Sequence, residues 1–331
     1  MKTKEIIGID VSKLLIDVCI HTKQIVSQFD NSNKGFRLML NWIKNNTNFS
    51  NQEILFVFEH TGMYSHLLSV FLTKENLSFF IASGLEIKRS IGIARGKDDK
   101  IDSKRIALYG YRLKEELNPC KLNHSSILCL KSLLSLRTKL NKQRAGFKAT
   151  LKEQRTIYKT KDYKVIFEIQ QKMITNLSKE IDKINRAMKA IIDDNIKLKE
   201  TYKLVTSVKG IGMQTALIMI AFTDNFSKFE NWRKFASYCG VAPFPYQSGT
   251  SVKGRTKVSH LANKKIKSII NMCAISAIQH NPEMRHYYKK RVLEGKNKMS
   301  TVNIIRNKLI ARVFAVVKRQ TPYVDTMKFA A

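Results

Sequence analysis

Glu5-Ile6-Ile7-Gly8-Ile9-Asp10-Val11-Ser12-Lys13 carries an apolar run up to a single carboxylate and then turns over a Ser and a Lys. The run predicts a buried strand. An acid at its end is expensive to bury unless its charge is compensated, and a divalent cation is the usual compensator. Two further stretches supply acids that can meet Asp10 in space. Ile54-Leu55-Phe56-Val57-Phe58-Glu59-His60-Thr61-Gly62 is a second strand-like run ending in an acid, and Gly96-Lys97-Asp98-Asp99-Lys100-Ile101-Asp102-Ser103-Lys104-Arg105 opens a helix-patterned segment. Asp99 and Asp102 stand three apart, which puts them on one helical face. Two strand-end acids and a helix-borne pair are the hard oxygen ligands that one or two Mg²⁺ ions need for phosphoryl chemistry, with Mn²⁺ as a substitute. Taken singly, each acid has a plainer reading: Asp10 as a turn residue, and Asp98, Asp99 and Asp102 as residues favoured at the positive end of a helix.

The chain has 331 residues, room for two or three domains with real cores. Its 59 Lys and Arg against 26 Asp and Glu leave a formal net charge of +33, while 44% of residues are hydrophobic. Such a chain folds and its surface seeks a polyanion, and because the basic residues run through every region, nucleic acid is the expected partner. A membrane surface is the rival, but no N-terminal signal, apolar run of about 18 residues or lipidation motif is present, so the expected location is cytoplasmic, in association with the nucleoid. The five cysteines, Cys19, Cys120, Cys129, Cys239 and Cys273, form no C-x-x-C pair and have no companion His spacing. That pattern argues for reduced thiols and against zinc. His60, beside Glu59, reads as a neighbour of the acids and not as a ligand.

After Asp10, 14–20 and 24–29 read as two further strands, giving an antiparallel meander. A helix is expected over 34–46, then the strand ending at Glu59, a helix over 64–75, a strand at 77–82 and a helix from about Lys100. Strands first, then alternating strand and helix, describe a mixed sheet flanked by helices.

The motifs Gly8-Ile9-Asp10-Val11-Ser12-Lys13, Glu59-His60-Thr61-Gly62 and Lys97 through Arg105 resemble the N-terminal domain of the DEDD transposases of insertion sequences, relatives of the Piv DNA invertases. That domain is similar to the RuvC junction resolvase and has the RNase H-like fold. The resemblance implies metal-binding roles for Asp10, Glu59, Asp99 and Asp102. Asp98 falls where the family has a small polar residue, and the three-residue spacing to Asp102 selects Asp99 over it.

From Ser125 the texture changes. Leu133, Leu140 and Phe147 recur at sevens, and Ile166, Ile169, Met173, Leu177, Ile181, Ile184, Met188 and Ile191 follow at threes and fours, with Leu198 seven further on. This is the patterning of a helical hairpin, broken at 158–163 by Tyr-Lys-Thr-Lys-Asp-Tyr. By pattern alone it is either a link between domains or a dimerisation arm, and the resemblance implies the arm. Arg137 and Arg144 fall on its seam.

Near Thr206 a third region begins. Lys209-Gly210-Ile211-Gly212 feeds an apolar helix, and such a turn either exposes backbone N–H groups to a phosphate or merely reverses the chain. A short helix is expected around Trp232, then a loop over 240–251 containing Gln247-Ser248-Gly249. A dense basic stretch follows with Lys253, Arg255, Lys257, Lys264, Lys265 and Lys267, and then apolar helices over 266–278 and 302–318. Spacing alone makes Ser248 a turn residue. Gly240-Val241-Ala242-Pro243 followed by Gln247-Ser248-Gly249 is similar to the segment bearing the nucleophilic serine of DEDD transposases, and that similarity implies the catalytic role.

The expected organisation is therefore an α/β RuvC-like domain over 1–122, a coiled-coil arm over 123–200, and a mainly helical domain over 201–331 with a helix-hairpin-helix-like opening. The resemblance implies a transposase that cleaves and rejoins DNA through a serine–DNA intermediate. It also implies acids and serine meeting across protomers of a tetramer, and a structured guide RNA. Two other readings remain open: a metal-dependent junction nuclease in which water attacks, and a nucleic-acid-binding assembly protein without catalysis.

Overall fold

The computed structural model describes residues 3–92, 99–120, 125–158 and 161–325, without the side chains of Ile91, Asp99, Lys100 and Lys161. The chain divides into two compact units, Met1–Leu122 and Asn123–Ala331.

The first unit contains β1 (Glu5–Val11), β2 (Leu15–Ile20), β3 (Ile25–Asp30), α1 (Asn33–Asn46), β4 (Ile54–Glu59), α2 (Tyr64–Lys74), β5 (Phe79–Ala82), α3 (Gly84–Ile91) and α4 (Asp99–Leu113). Its five-stranded sheet has the order β3-β2-β1-β4-β5. β1, β2 and β3 pair antiparallel, whereas β1, β4 and β5 pair parallel. This is the mixed sheet of an RNase H-like α/β domain. The turn after Asp10 is made by Ser12, whose hydroxyl donates to the carbonyl of Leu15 at 2.8 Å and accepts from its N–H at 3.1 Å.

Side chains alternate across the sheet, so one residue set faces each layer. Ile7, Ile9, Ile16, Val18, Phe56 and Phe58 pack against Phe36 and Met39 of α1 and Leu68 and Leu72 of α2. On the other face Ile6, Leu55, Val57 and Ala82 meet Ile87 of α3 and Ile106 and Tyr109 of α4. The apolar character of β1 and β4 follows from burial on both faces.

α4 lies unusually close to β1. A Cβ placed on Gly8 would fall 2.3 Å from the Ala107 nitrogen and 2.5 Å from the Ser103 oxygen, and one on Gly110 would fall 2.8 Å from Ile6 and 2.9 Å from Val57. Gly110 thus sits at the level of Ile6, and residues 103–107 at the level of Gly8. α4 therefore runs antiparallel to β1, with its N-terminal turn directed towards Asp10.

The second unit opens with α5 (Ser125–Ile157), a single 3-10 turn (Lys161–Tyr163) and α6 (Lys164–Asp193). The α5 seam is Ile127, Leu130 and Leu134, then Arg137 and Arg144, and finally Leu151. Arg137 Nε donates to Asn185 Oδ1 at 2.8 Å and Arg144 Nη1 to Ser178 Oγ at 3.1 Å, so both guanidinium groups are bound across the hairpin. Burial and the neighbouring Arg144 charge push the Arg137 guanidinium down from its ordinary value. The base of the hairpin shares a core with α7 (Ile196–Ser207) and α8 (Met213–Thr223), through Ile184, Met188, Leu198, Leu217 and Ile220. Leu198, in pattern the end of α6, belongs to α7, because Asn195 breaks the helix and caps the next one by accepting from the Leu198 N–H at 3.1 Å.

α9 (Trp232–Tyr238), α10 (Lys264–His280), α11 (Pro282–Leu293) and α12 (Lys298–Arg319) complete the unit around Phe235, Ile270, Ile305, Leu309 and Val313. Between α9 and α10 the expected loop is instead a two-stranded antiparallel ribbon, β6 (Pro243–Ser248) and β7 (Val252–Val258). Its prolines hid it from pattern reading, since Pro cannot donate to a ladder. A two-stranded ribbon has only edges, and Pro243 opens β6 while Pro245 lies at the register shift between Phe244 and Tyr246.

Gly8→Ala is expected to destabilise the chain by about 1–3 kcal/mol or more in urea unfolding, because backbone of α4 must move. Gly146→Ala, in α5 with nothing within 4 Å of the added carbon, should instead stabilise it by about 0.5–1 kcal/mol.

Candidate active site

β1 and β4 carry Asp10 and Glu59 to the same edge of the sheet. Their last registered pair is Ile9↔Phe58, so Asp10 and Glu59 follow one step later on neighbouring parallel strands. Both continue the face of Gly8 and Val57, the face on which α4 lies. From the level of Gly8 to that of Asp10 is roughly 6.6 Å along a strand, or about four residues of helix. That offset, counted back from 103–107, reaches the first turn of α4, where Asp99 and Asp102 stand in sequence. Asp102 is described and its carboxylate is paired with Arg105 at 2.8 Å. The side chain of Asp99, like the whole of Asp98, lies outside the described residues.

Glu59 has a further neighbour. A Cβ on Gly84 would fall 2.2 Å from Glu59 Oε1 and 2.7 Å from its Cδ. Gly84 is the first residue of α3, so the carboxylate rests against the N-terminal turn of that helix, where a negative charge is favoured. His60 is exposed, and its Nδ1 accepts from the Gly62 N–H at 3.4 Å.

Pattern reading overlooked Asp17. It pairs directly with Asp10 across β1 and β2, is only 4% exposed, and accepts from Gln28 Nε2 at 3.1 and 3.2 Å. The signal was present as an acid inside the apolar run 15–20, which expects compensation on the same grounds as Asp10. Among the described residues no three of His, Cys, Asp and Glu converge closely enough to hold a metal ion as they stand. The donor set on this face, carboxylates alone, nonetheless has the hard-oxygen chemistry that suits Mg²⁺ or Mn²⁺.

In the second unit Ser248 closes β6, opposite Val252, and is exposed. Gly249 follows with φ +56°, a conformation open to glycine and strained for most other residues. The ribbon stands on a clamped base. Asn303 and Asn307 each donate to the Val241 carbonyl at 2.9 Å, and a Cβ on Gly240 would fall 2.4 Å from that of Ala262. Arg306, 7% exposed, donates to Asn271 of α10 and to Asn303, and so ties α12 to α10 beside that base.

Lys253, Arg255 and Lys257 are exposed on β7, and Lys264 and Lys265 are exposed in the first turn of α10. Cations at a helix N-terminus oppose its dipole, a cost that a bound polyanion offsets. Between Glu230 and Glu283 the sequence contains no Asp or Glu at all. Lys209 stands differently, since its ammonium is ion-paired with Asp325. Gly210 has φ +94° and would meet Ala277 at 2.9 Å, so chain reversal and close packing account for it; Gly212 is open, with nothing within 4 Å. The buried thiols of Cys19 and Cys239 are pushed up by desolvation to about 11 and about 12, which leaves them inert as nucleophiles.

Comparison with known proteins places this architecture in a class. A transposase family model of the DEDD type matches residues 7–158, and one described as the transposase IS116/IS110/IS902 family matches residues 202–289. The fold and these matches define a DNA transposase, an enzyme of DNA recombination. The pilin gene-inverting protein of Moraxella bovis is 26% identical over 97% of this chain and 98% of its own length, and that of Moraxella lacunata is equally similar. A 43.6 kDa protein of insertion element IS110 from Streptomyces coelicolor is 26% identical over 43% of this chain and 35% of its own length. The chain belongs to the IS110 family of DEDD transposases. As a class these enzymes depend on a divalent metal. Among the described residues no helix is long and apolar enough to cross a membrane.

Gly84→Ala separates positioning from stability. The added carbon meets only the far end of the flexible Glu59 side chain, so unfolding free energy should change by less than about 1 kcal/mol. Strand cleavage is expected to fall at least about tenfold, because the added carbon displaces the Glu59 carboxylate from its place beside the end of β1.

Proposed function

We propose that this transposase breaks and rejoins DNA at Ser248, with Asp10, Glu59, Asp99 and Asp102 holding the divalent cation. What carries the reading is the placement of Asp10 and Glu59 on one face at the ends of adjacent parallel strands, with the first turn of α4 directed at the same level. Mg²⁺ supplies Lewis-acid polarisation of the phosphate and stabilises charge on the leaving oxygen. The Arg105 guanidinium, ion-paired with Asp102, would give way to the cation.

The Ser248 oxygen forms a bond to phosphorus as the bond to the leaving strand breaks. The serine proton passes to solvent, and the leaving oxygen takes one up. The resulting phosphoserine keeps the ester energy, so the reverse attack by a strand end rejoins DNA without an external energy source. The basic residues of β7 and of the first turn of α10 neutralise the phosphates on either side.

Two assembly features complete the reading. A structured RNA that pairs with donor and target DNA is supported by the similarity to DEDD transposases and is compatible with the charge of +33. The distal part of the hairpin supports self-association: Ile157, Ile166, Ile169 and Met173 are 69%, 42%, 59% and 41% exposed, a stripe the α5–α6 seam leaves unused. A dimer through this stripe, and a tetramer at the DNA synapse, are the proposed states.

Denaturing electrophoresis of the protein with the element's DNA, its flanking transcript and Mg²⁺ tests the chemistry. Wild-type protein should form a covalent adduct mapping to Ser248. Ser248→Ala should form none, and Asp10→Asn or Glu59→Gln should reduce it on the order of 100-fold or more. Continued strand cleavage by Ser248→Ala would point instead to attack by water. Ile169→Asp should shift the protein from dimer to monomer in sedimentation at unchanged melting temperature. Deletion of the whole hairpin is a poorer probe, because its base belongs to the core of α7 and α8.

A further inference from the structure

The ribbon carries more than Ser248. Alternation along β6 puts Phe244, Tyr246 and Ser248 on one face. Tyr246 is 70% exposed and Phe244 45% exposed, a rare display for two aromatic rings two residues apart. The Tyr246 ring is also held in place: a Cβ on Gly254, its cross-strand partner, would fall 2.6 Å from Tyr246 Cδ1. The ring therefore lies over the bare backbone of Gly254, with the remainder of its surface left to solvent. Its distance from Ser248 along the strand is roughly 6.8 Å, the scale of a single nucleotide unit.

We propose that Tyr246, flanked by Phe244, is a stacking platform for an unpaired DNA base next to the phosphate that Ser248 meets. Three observations select a nucleobase as occupant over an apolar protein surface. Lys257 stands directly opposite Phe244 on the partner strand, and Lys253, paired with Gln247, adds positive charge on the ribbon's other face. No acid occurs between Glu230 and Glu283 to repel a phosphate backbone. The two rings are followed on their own face by the polar Ser248. A base offers a π-face to the ring whatever its identity, and the neighbouring cations take the backbone. Such contact holds a strand without reading its sequence. An unpaired base is required because both faces of a paired one are covered by its neighbours in the helix.

The proposal rests on the reading of Ser248 only for where the base lies, and the two are separable by experiment. The probe is a single-stranded oligodeoxynucleotide of about 20 residues with a central 2-aminopurine, whose fluorescence reports stacking, titrated with the full chain. Wild-type protein and Ser248→Ala should both change that fluorescence. Tyr246→Ala should abolish the change and weaken binding between about five- and 150-fold, with Phe244→Ala smaller and Tyr246→Phe within about twofold of wild type. Binding to the corresponding duplex should hold within about twofold, since the cations are intact. Because the ring is exposed, melting temperature should not move, and this confirms a folded variant. Retention of single-strand binding by Tyr246→Ala, or equal loss on single strand and duplex, overturns the proposal. A loss confined to an oligoribonucleotide of the same sequence overturns it in favour of RNA. If Ser248→Ala still forms the covalent adduct while Tyr246→Ala loses the fluorescence change, the nucleophile assignment fails and the platform stands.

Discussion

The approach of α4 to β1 at Gly8 is the constraint on which the arrangement of acids depends. With a side chain at position 8, the helix could not rest on the strand, since a Cβ there meets main-chain atoms of both Ser103 and Ala107. Close seating converts sequence distance into spatial proximity. Asp102 is separated from Asp10 by most of a domain, yet the antiparallel run of α4 brings its first turn to the level where β1 ends. Gly110 repeats the device one turn and a half further on, against Ile6 and Val57. Two glycines thus set both the height and the tilt of the helix that bears half of the proposed ligand set.

Compensation of negative charge is the second theme of that edge. Asp10 and Asp17 oppose one another across the antiparallel pair, a like-charge arrangement that is unfavourable in a sheet unless something answers it. The structure answers in part: the Gln28 amide donates to Asp17, the start of α3 lies against Glu59, and the Arg105 cation pairs with Asp102. The acids of the proposed ligand set sit at the sheet's end, where solvent and substrate can reach, and not within the apolar layers.

Much of the first unit was legible because burial on both faces leaves a strong trace. β1 and β4 are nearly unbroken apolar runs, and Asp10 and Glu59 stand out at their ends for that reason. The face shared by Asp10 and Glu59 was not legible, since it depends on the parallel register of two strands far apart in sequence. Asp17 was missed because an acid inside a short strand resembles ordinary alternation. In the hairpin, the sevens at Leu133, Leu140 and Phe147 interleave at threes and fours with Leu130, Arg137, Arg144 and Leu151, and Leu133 and Leu140 pack against the core at its base. The buried line runs through Leu130, Leu134 and then two arginines, and pattern reading weighs arginine as polar although here it is bound across the interface. The exposed Ile166, Ile169 and Met173 obey the same pattern as the buried residues of α6, because an exposed apolar stripe and a stripe facing a partner helix look alike in sequence.

The ribbon shows why a serine near a glycine is uninformative until its frame is known. As a loop residue Ser248 would have many orientations, and its hydroxyl would be one polar group among several. As the last residue of β6 it has a fixed face, shared with Phe244 and Tyr246, on a ribbon whose base is locked by the two amides on Val241 and by the contact of Gly240 with Ala262. A rigid base under exposed strands suits a group that must meet a large, charged, extended substrate: the ribbon can enter among strands of nucleic acid while the helical core stays outside. Prolines at 243 and 245 favour the same outcome. They remove donors from β6 and so discourage pairing with a stray strand.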